Sequence, residues 1–295
     1  MRKLPFYFSS PSCGKQDGFT LVEMVIVIVI TGIVGAVVAV FLRSPVQGYV
    51  DMVARAELAD EADTAVRRMS RDLRLALPNS IRTTTVGGTT FLELLLTRTG
   101  GRYLDEEDEV AGGDILDFSN PADTSFRTVG PLPVAASQQI QAGDQIVIYN
   151  LGQAPADAYC NGGSCNNRAA ITAVNLATRT ITLAANPFAQ QVPVIMRSPG
   201  HRFQVVSTPV TYACNPAVGT LTRYSNYIIQ ANQPNTEPVA GAARGLLASG
   251  ITACAFNYTT LANVRSALVG ITLTTQRAGS GNITLFHQLH VDNTP

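Results

Sequence analysis

The chain has no tryptophan, three histidines and few charges: 14% of its 295 residues are Asp, Glu, Lys or Arg, against roughly 25% in an average soluble domain. Its 21 basic side chains are matched by 21 acidic ones. Without a net cationic field, the phosphate neutralisation that holds nucleic acid is missing, so nucleic acid is not an expected partner. Also missing are G-x-S-x-G, the P-loop, H-E-x-x-H and G-x-G-x-x-G, the patterns that aim a nucleophile, cradle phosphates, hold catalytic zinc or bind a dinucleotide. Nothing in the sequence points to catalysis, and no enzyme activity, cofactor or metal is expected. With 16 Pro and 24 Gly, the chain is neither collagen-like nor a Pro/Gly-dominated disordered segment. Cysteines number five, an odd count.

What is abundant is apolar, 46% of all residues, and much of it sits in one place. Phe19 to Leu42 reads FTLVEMVIVIVITGIVGAVVAVFL, with Glu23 as its one charge. As a helix these 24 residues extend about 36 Å, enough to cross a hydrocarbon layer of roughly 30 Å. The run is too long for an ordinary secretory signal, whose apolar region spans about 7 to 15 residues. Arg2, Lys3 and Lys15 outweigh Asp17 ahead of it. The positive-inside rule therefore predicts a single-pass segment with its N-terminal end in the cytoplasm and the rest of the chain outside it.

The junction Gly18-Phe19-Thr20-Leu21-Val22-Glu23 joins a basic leader, a Gly-Phe step and a glutamate inside an apolar helix. It resembles the processing site of type IV pilins and type II secretion pseudopilins. The resemblance implies a fold in which a long N-terminal helix packs on an antiparallel β-rich head, an α+β architecture. It also implies that a prepilin peptidase cuts between Gly18 and Phe19 and methylates the new amine of Phe19. An unpaired carboxylate in a membrane costs up to a few kcal/mol, less near the end of the segment. The family assigns Glu23 to the terminal ammonium of a neighbouring subunit, a pairing that sets helix register during assembly. A lone carboxylate snorkelling to the interface is the plainer alternative.

Beyond an expected break at Ser44-Pro45 and Gly48, Met52, Ala56, Ala59, Ala62, Val66, Met69, Leu73 and Ala76 recur at helical steps of three and four, and Pro78 is expected to end the helix. The opposite face is charged, with Asp63 and Arg67, and Arg68 and Asp72, spaced four apart for weak mutual support. The expected division is a leader over 1–18, a membrane or filament-core helix over 19–42, an amphipathic stalk over 43–77 and a β-rich head over 78–295. In the head, β-prone runs begin at Phe91, Asp114, Asp144, Ala169, Arg179, Arg202, Gly219, Ile251, Ser266 and Asn282. Turn residues divide them, so they predict about ten antiparallel strands, with hairpins near Asn175 and within YACNPAVGTLTRY.

Cys13 falls in the leader. Cys160, Cys165, Cys214 and Cys254 remain, an even set in a compartment where disulfides persist. Three pairings are open. The short flexible loop C-N-G-G-S-C favours Cys160 with Cys165, and hence Cys214 with Cys254; zinc is the rival use. His287 and His290 lie three apart, which on a strand points them to opposite faces. The acidic run Asp105 to Glu109, with Asp114 or Asp117 nearby, has calcium-type oxygens but not the spacing of a calcium loop, so a solvated acidic turn is expected.

The order VTYACNPAVGTLTRYSNY, GLLASGITACAFNY, SALVGITLTTQ resembles large minor pilins of the PilW type and J-type pseudopilins of type II secretion. The ending LFHQLHVDNTP resembles that of minor pilins of the mannose-sensitive haemagglutinin (MSHA) type. These resemblances imply a minor pilin that primes assembly or sits near a tip. The partners they imply are the prepilin peptidase, other minor and major pilins, the inner-membrane assembly platform and the lipid bilayer, with the pilus or cell surface as final location. A secretion pseudopilin and an anchored exoplasmic enzyme are the alternatives. Removing residues 1–18 takes away three basic groups and one acidic group, leaving 18 against 20 and a net charge of −2 on 277 residues.

Overall fold

The computed structural model describes residues 18–108, 113–160, 165–258, 266–277 and 281–295, and the chain divides into two compact units, residues 1–53 and 54–295. Helix α1 spans Leu21–Arg74. Its first half is rich in Val and Ile, which are mediocre helix formers in water. In hydrocarbon every backbone group must be satisfied within the segment, and a helix does that. From residue 18 to 53 every residue is exposed, so this apolar surface has no cover within its unit.

The break expected at Ser44-Pro45 and Gly48 does not occur: α1 continues through Pro45. Proline removes one intrahelical hydrogen bond and crowds the preceding turn. Ending the helix there would instead orphan four N–H and four C=O groups. Helix-competent sequence on both sides makes continuation the lesser cost.

In the second unit the buried stripe of α1 begins at Leu58 and continues through Ala62, Ala65, Val66, Met69 and Leu73. The expected stripe is correct from Ala62 onward, but Met52 and Ala56 are exposed. The helix ends at Arg74, ahead of Pro78. The N–H of Leu75 donates to Asp72 O and that of Ala76 to Leu73 O, which tightens the last turn. The Leu77 N–H then donates to Leu95 O at 2.8 Å, so sheet pairing takes over before proline is reached.

Twelve strands follow among the described residues: β1 Arg82–Val86, β2 Thr89–Arg102, β3 Ser125–Arg127, β4 Gln145–Val147, β5 Arg168–Asn175, β6 Thr180–Leu183, β7 Arg202–Asn215, β8 Thr220–Ser225, β9 Ala243–Ser249, β10 Ile251–Tyr258, β11 Ser266–Thr275 and β12 Ile283–Asp292. All pair antiparallel. Nine form one sheet in the order β1-β2-β7-β4-β5-β6-β3, with β8 and β9 continuing from β7; β10-β11-β12 form a second. Strand β7 changes neighbours along its length. Gln204 to Val206 pair with β4 and Val210 to Asn215 with β8. Pro209, which has no N–H to give, falls where one partner ends and the next begins.

The expected hairpins are present, β5–β6 closing at Asn175 and Thr180 and β7–β8 at Asn215 and Thr220. The run from Asp114 is not a strand. Leu116 and Phe118 are buried there as plugs of a core, without a ladder.

Two cores result. One joins Ala65, Met69 and Leu73 of α1 to Leu92, Tyr212 and Leu221 of the large sheet and to Val269, Ile271 and Leu273 of the small one. The other holds Phe118, Phe126, Ile146, Ile181, Phe188 and Phe203. At Gly250 (φ +67°) the chain passes from β9 into β10. A Cβ there would stand 2.5 Å from Gln276 O, so the close approach needs glycine.

Candidate processing and assembly site

Gly18 and Phe19 precede the helix and are exposed, Phe19 by 82%. A Cβ added at Gly18 would meet nothing within 4 Å. Among the described residues, therefore, packing does not ask for glycine at this position. Helix α1 opens on a reciprocal cap. The Glu23 N–H donates to Thr20 Oγ1 at 3.3 Å, while the Thr20 N–H and hydroxyl both donate to Glu23 Oε2 at 3.2 Å. This T-x-x-E capping box satisfies two donors that a helix start leaves orphaned. Glu23 is thus held on the first turn, four residues after Phe19, with its carboxylate facing back toward the Gly18–Phe19 bond. The leader before Gly18, with Cys13, lies outside the described residues.

Residues 13–39 match the prokaryotic N-terminal methylation motif. The chain carries a type IV pilin-like prepilin signal. That signal implies processing by prepilin peptidase and assembly with other pilins, and it supports a pilin or pseudopilin kind of protein. With the apolar helix beside it, long enough and apolar enough to cross a membrane, it fits membrane anchoring. No curated protein and no solved structure matches the chain.

In the head, Cys160 is bonded to Cys165, with Cα atoms 5.6 Å apart. Cys214 of β7 is bonded to Cys254 of β10 across 6.5 Å, so this second bond staples the large sheet to the small one. His287 is half-buried and His290 exposed, on opposite faces of β12. Among the described residues no three His, Cys, Asp or Glu side chains cluster as a metal site.

The acidic turn is less solvated than its composition suggests. Asp105 is buried, Asp108 takes a charge-assisted bond from Arg102 Nη2 at 2.7 Å, and Arg197 and His201 stand about 4 Å from the pair. Nearby basic residues made this arrangement possible. Glu109 lies outside the described residues. Asp114 accepts from the Ser125 hydroxyl. Asp117 is held below the usual carboxylate range by hydrogen bonds from the Ser119 hydroxyl and N–H.

Two buried polar clusters have no precedent in the sequence patterns. Asp72, near the end of α1, accepts from the Tyr212 hydroxyl at 2.8 Å and from Arg223 Nε at 2.7 Å. Burial, then the negative charge of Asp72, pushes the Tyr212 phenol well up. Glu93 of β2 is fully buried and takes bonds from Arg82 Nε at 2.6 Å and the Tyr227 hydroxyl at 2.8 Å. Its carboxyl is held above the usual range by burial, against the pull of Arg82. The first cluster fastens the helix to β7 and β8. The second fastens the chain after β8 to the sheet.

Proposed function

We propose that the chain is a minor pilin of a type IV pilus of the MSHA type, most like the MSHA pilus biogenesis protein MshO. In this reading it waits in the inner membrane with its head in the periplasm and enters the filament by α1 to prime or cap assembly. The observation that carries the reading is the prepilin signal set on a helix whose apolar surface is exposed from Phe19 to Val53. Such a surface needs lipid first and neighbouring helices later.

Cleavage between Gly18 and Phe19 frees the amine of Phe19, which a separate methyl transfer then converts to a methylated ammonium. On assembly Glu23 exchanges its bonds with Thr20 for the ammonium of an adjacent subunit. The assembly partners are other minor and major pilins and the inner-membrane platform. The role is structural, and surface contact by the head, not catalysis, is its outward task.

A second reading, a J-type minor pseudopilin of type II secretion, draws on the distal β-segment order that resembles both groups. Deletion of the gene separates the two. Loss of surface filaments, with the chain recovered in sheared filaments of the complemented strain, supports the pilus. Normal filaments with exported proteins retained in the periplasm would support the pseudopilin instead.

A further inference from the structure

Several charged residues of α1 are engaged within the chain. Arg68 faces Asp72, Glu57 is paired with Arg277, and Glu61 accepts from the Ser249 N–H and hydroxyl. Those on the face opposite the buried stripe are not held by the head. Asp60, Arg71 and Arg74 are exposed and have neither a hydrogen-bond nor an ion-pair partner among the described residues. Asp63 pairs with Arg67 on the next turn, at side-chain exposures of 44% and 77%, so water competes for both.

Ala56, Asp60, Asp63, Arg67, Arg71 and Arg74 follow one another at steps of three and four, which sets them in one line along the helix. Along that line the acids come first and the arginines after. Arg71 lies eleven residues beyond Asp60 and Arg74 eleven beyond Asp63, close to three full turns or about 16 Å of helix. The line is thus complementary to itself when shifted by that length. Such a shift is required because the apolar run anchors every copy by the same end, so that two copies run parallel. At equal depth acid meets acid and arginine meets arginine, which repels. A shift of four residues matches Asp63 with Arg67 but sets Arg67 against Arg71, and one of seven matches Asp60 with Arg67 but sets Arg67 against Arg74. A shift of eleven matches Asp60 with Arg71 and Asp63 with Arg74, and leaves Arg67 beside Ala56.

We propose that this face of α1 is a contact between copies of the chain staggered by eleven residues, with Asp60 and Asp63 of one copy against Arg71 and Arg74 of the next. The proposal rests on the membrane-anchored reading of α1. It is separate from the Glu23 contact, which needs a shift of about four residues and so belongs to another neighbour. Each copy offers its acids to one neighbour and its arginines to the other, so the contact is heterologous and open-ended: it propagates a filament and does not close a dimer. Copies at equal depth in the bilayer repel, and pairing becomes favourable once one has been raised by three turns. Exposed ion pairs add little affinity, so their role is to choose the register.

The test uses the full-length chain in its own membrane, as the sole copy in the cell, and a short bismaleimide cross-linker. Ala56 and Arg67 are exposed, eleven residues apart and outside the matched pairs. Ala56→Cys with Arg67→Cys should give a ladder of dimers, trimers and longer products, whereas either cysteine alone should stay monomeric. Adding Arg71→Glu and Arg74→Glu should cut the ladder roughly tenfold, and adding Asp60→Arg and Asp63→Arg to that chain should restore it. No ladder, a ladder that charge reversal leaves unchanged, or cross-linking of Arg67→Cys alone overturns the proposal. Products that join the chain to a different pilin and never to a second copy would assign the face to that partner and overturn it as well. Leader removal is read on the same gel: a processed chain without a ladder refutes the contact and leaves the prepilin reading intact.

Discussion

Replacing Asp72 with alanine should destabilise the head far more than any other single change to a charged residue of α1. Asp72 is 3% exposed, and its carboxylate is the acceptor for a fully buried tyrosine hydroxyl and for an arginine whose side chain is 14% exposed. Removal leaves Arg223 with Ser225 Oγ as its remaining acceptor and Tyr212 with none. Breaking a buried pair from one side costs about 3 to 5 kcal/mol. For a unit of this size that corresponds to a fall in Tm of roughly 6 to 20 °C.

Asp63→Ala is the control. It removes the Asp63–Arg67 ion pair on the same helix, where the side chains are 44% and 77% exposed, and should leave Tm unchanged within error because solvent already screens that pair. Tyr212→Phe should fall between them, at about 1 kcal/mol for one hydrogen bond. The double variant Asp72→Ala with Arg223→Met should recover part of the loss by removing the stranded charge. Thermal and urea unfolding of the full-length chain in detergent measure all four. An Asp72→Ala variant no less stable than Asp63→Ala would refute the idea that this cluster fastens the helix.

The disulfides should be unequal. Cys214→Ser with Cys254→Ser opens a loop of 40 residues, worth about 4 kcal/mol by chain entropy, while Cys160→Ser with Cys165→Ser opens one of five, worth about 2; equal losses in urea midpoint would contradict this ranking. Glu93, with its carboxyl raised in the folded head, holds its proton to higher pH than it does unfolded. Its contribution is therefore complete below its ordinary value of 4.5 and is lost as pH rises through the folded value. Glu93→Gln should flatten that decline in a series of unfolding curves at rising pH, and an unchanged slope would show that another group sets it. Gly18→Ala should block leader removal, seen on a gel as a band about 2 kDa heavier, without altering the head's Tm.

The features legible in the sequence were local. The glycine, the cap and the apolar run around Phe19 act on neighbours within a few residues, and the stripe from Ala62 to Leu73 repeats every turn. Strands with alternating or continuous apolar residues, such as β2, β7 and β11, were legible for the same reason. Strands β1, β3 and β9 were not: RTTTV is polar, SFR is three residues long, and ARGLLAS is exposed over its first four positions. Pairing with longer neighbours holds them in place. Asp72 looked like a surface partner of Arg68, because Tyr212 and Arg223 lie 140 and 151 residues away in the chain. Glu93 was hidden in the same way by Tyr227, 134 residues distant. The T-x-x-E cap was within reach, since its spacing alone announces a helix start.

Intact-mass and N-terminal peptide spectrometry of the chain purified from its own membrane, beside the same chain made in cells without prepilin peptidase, tests the central claim most directly. The account predicts a mature chain of residues 19–295 beginning with N-methylated Phe19, and an unprocessed, unmethylated chain without the peptidase. A mature chain that keeps residues 1–18, or that begins at any residue other than Phe19, would contradict it.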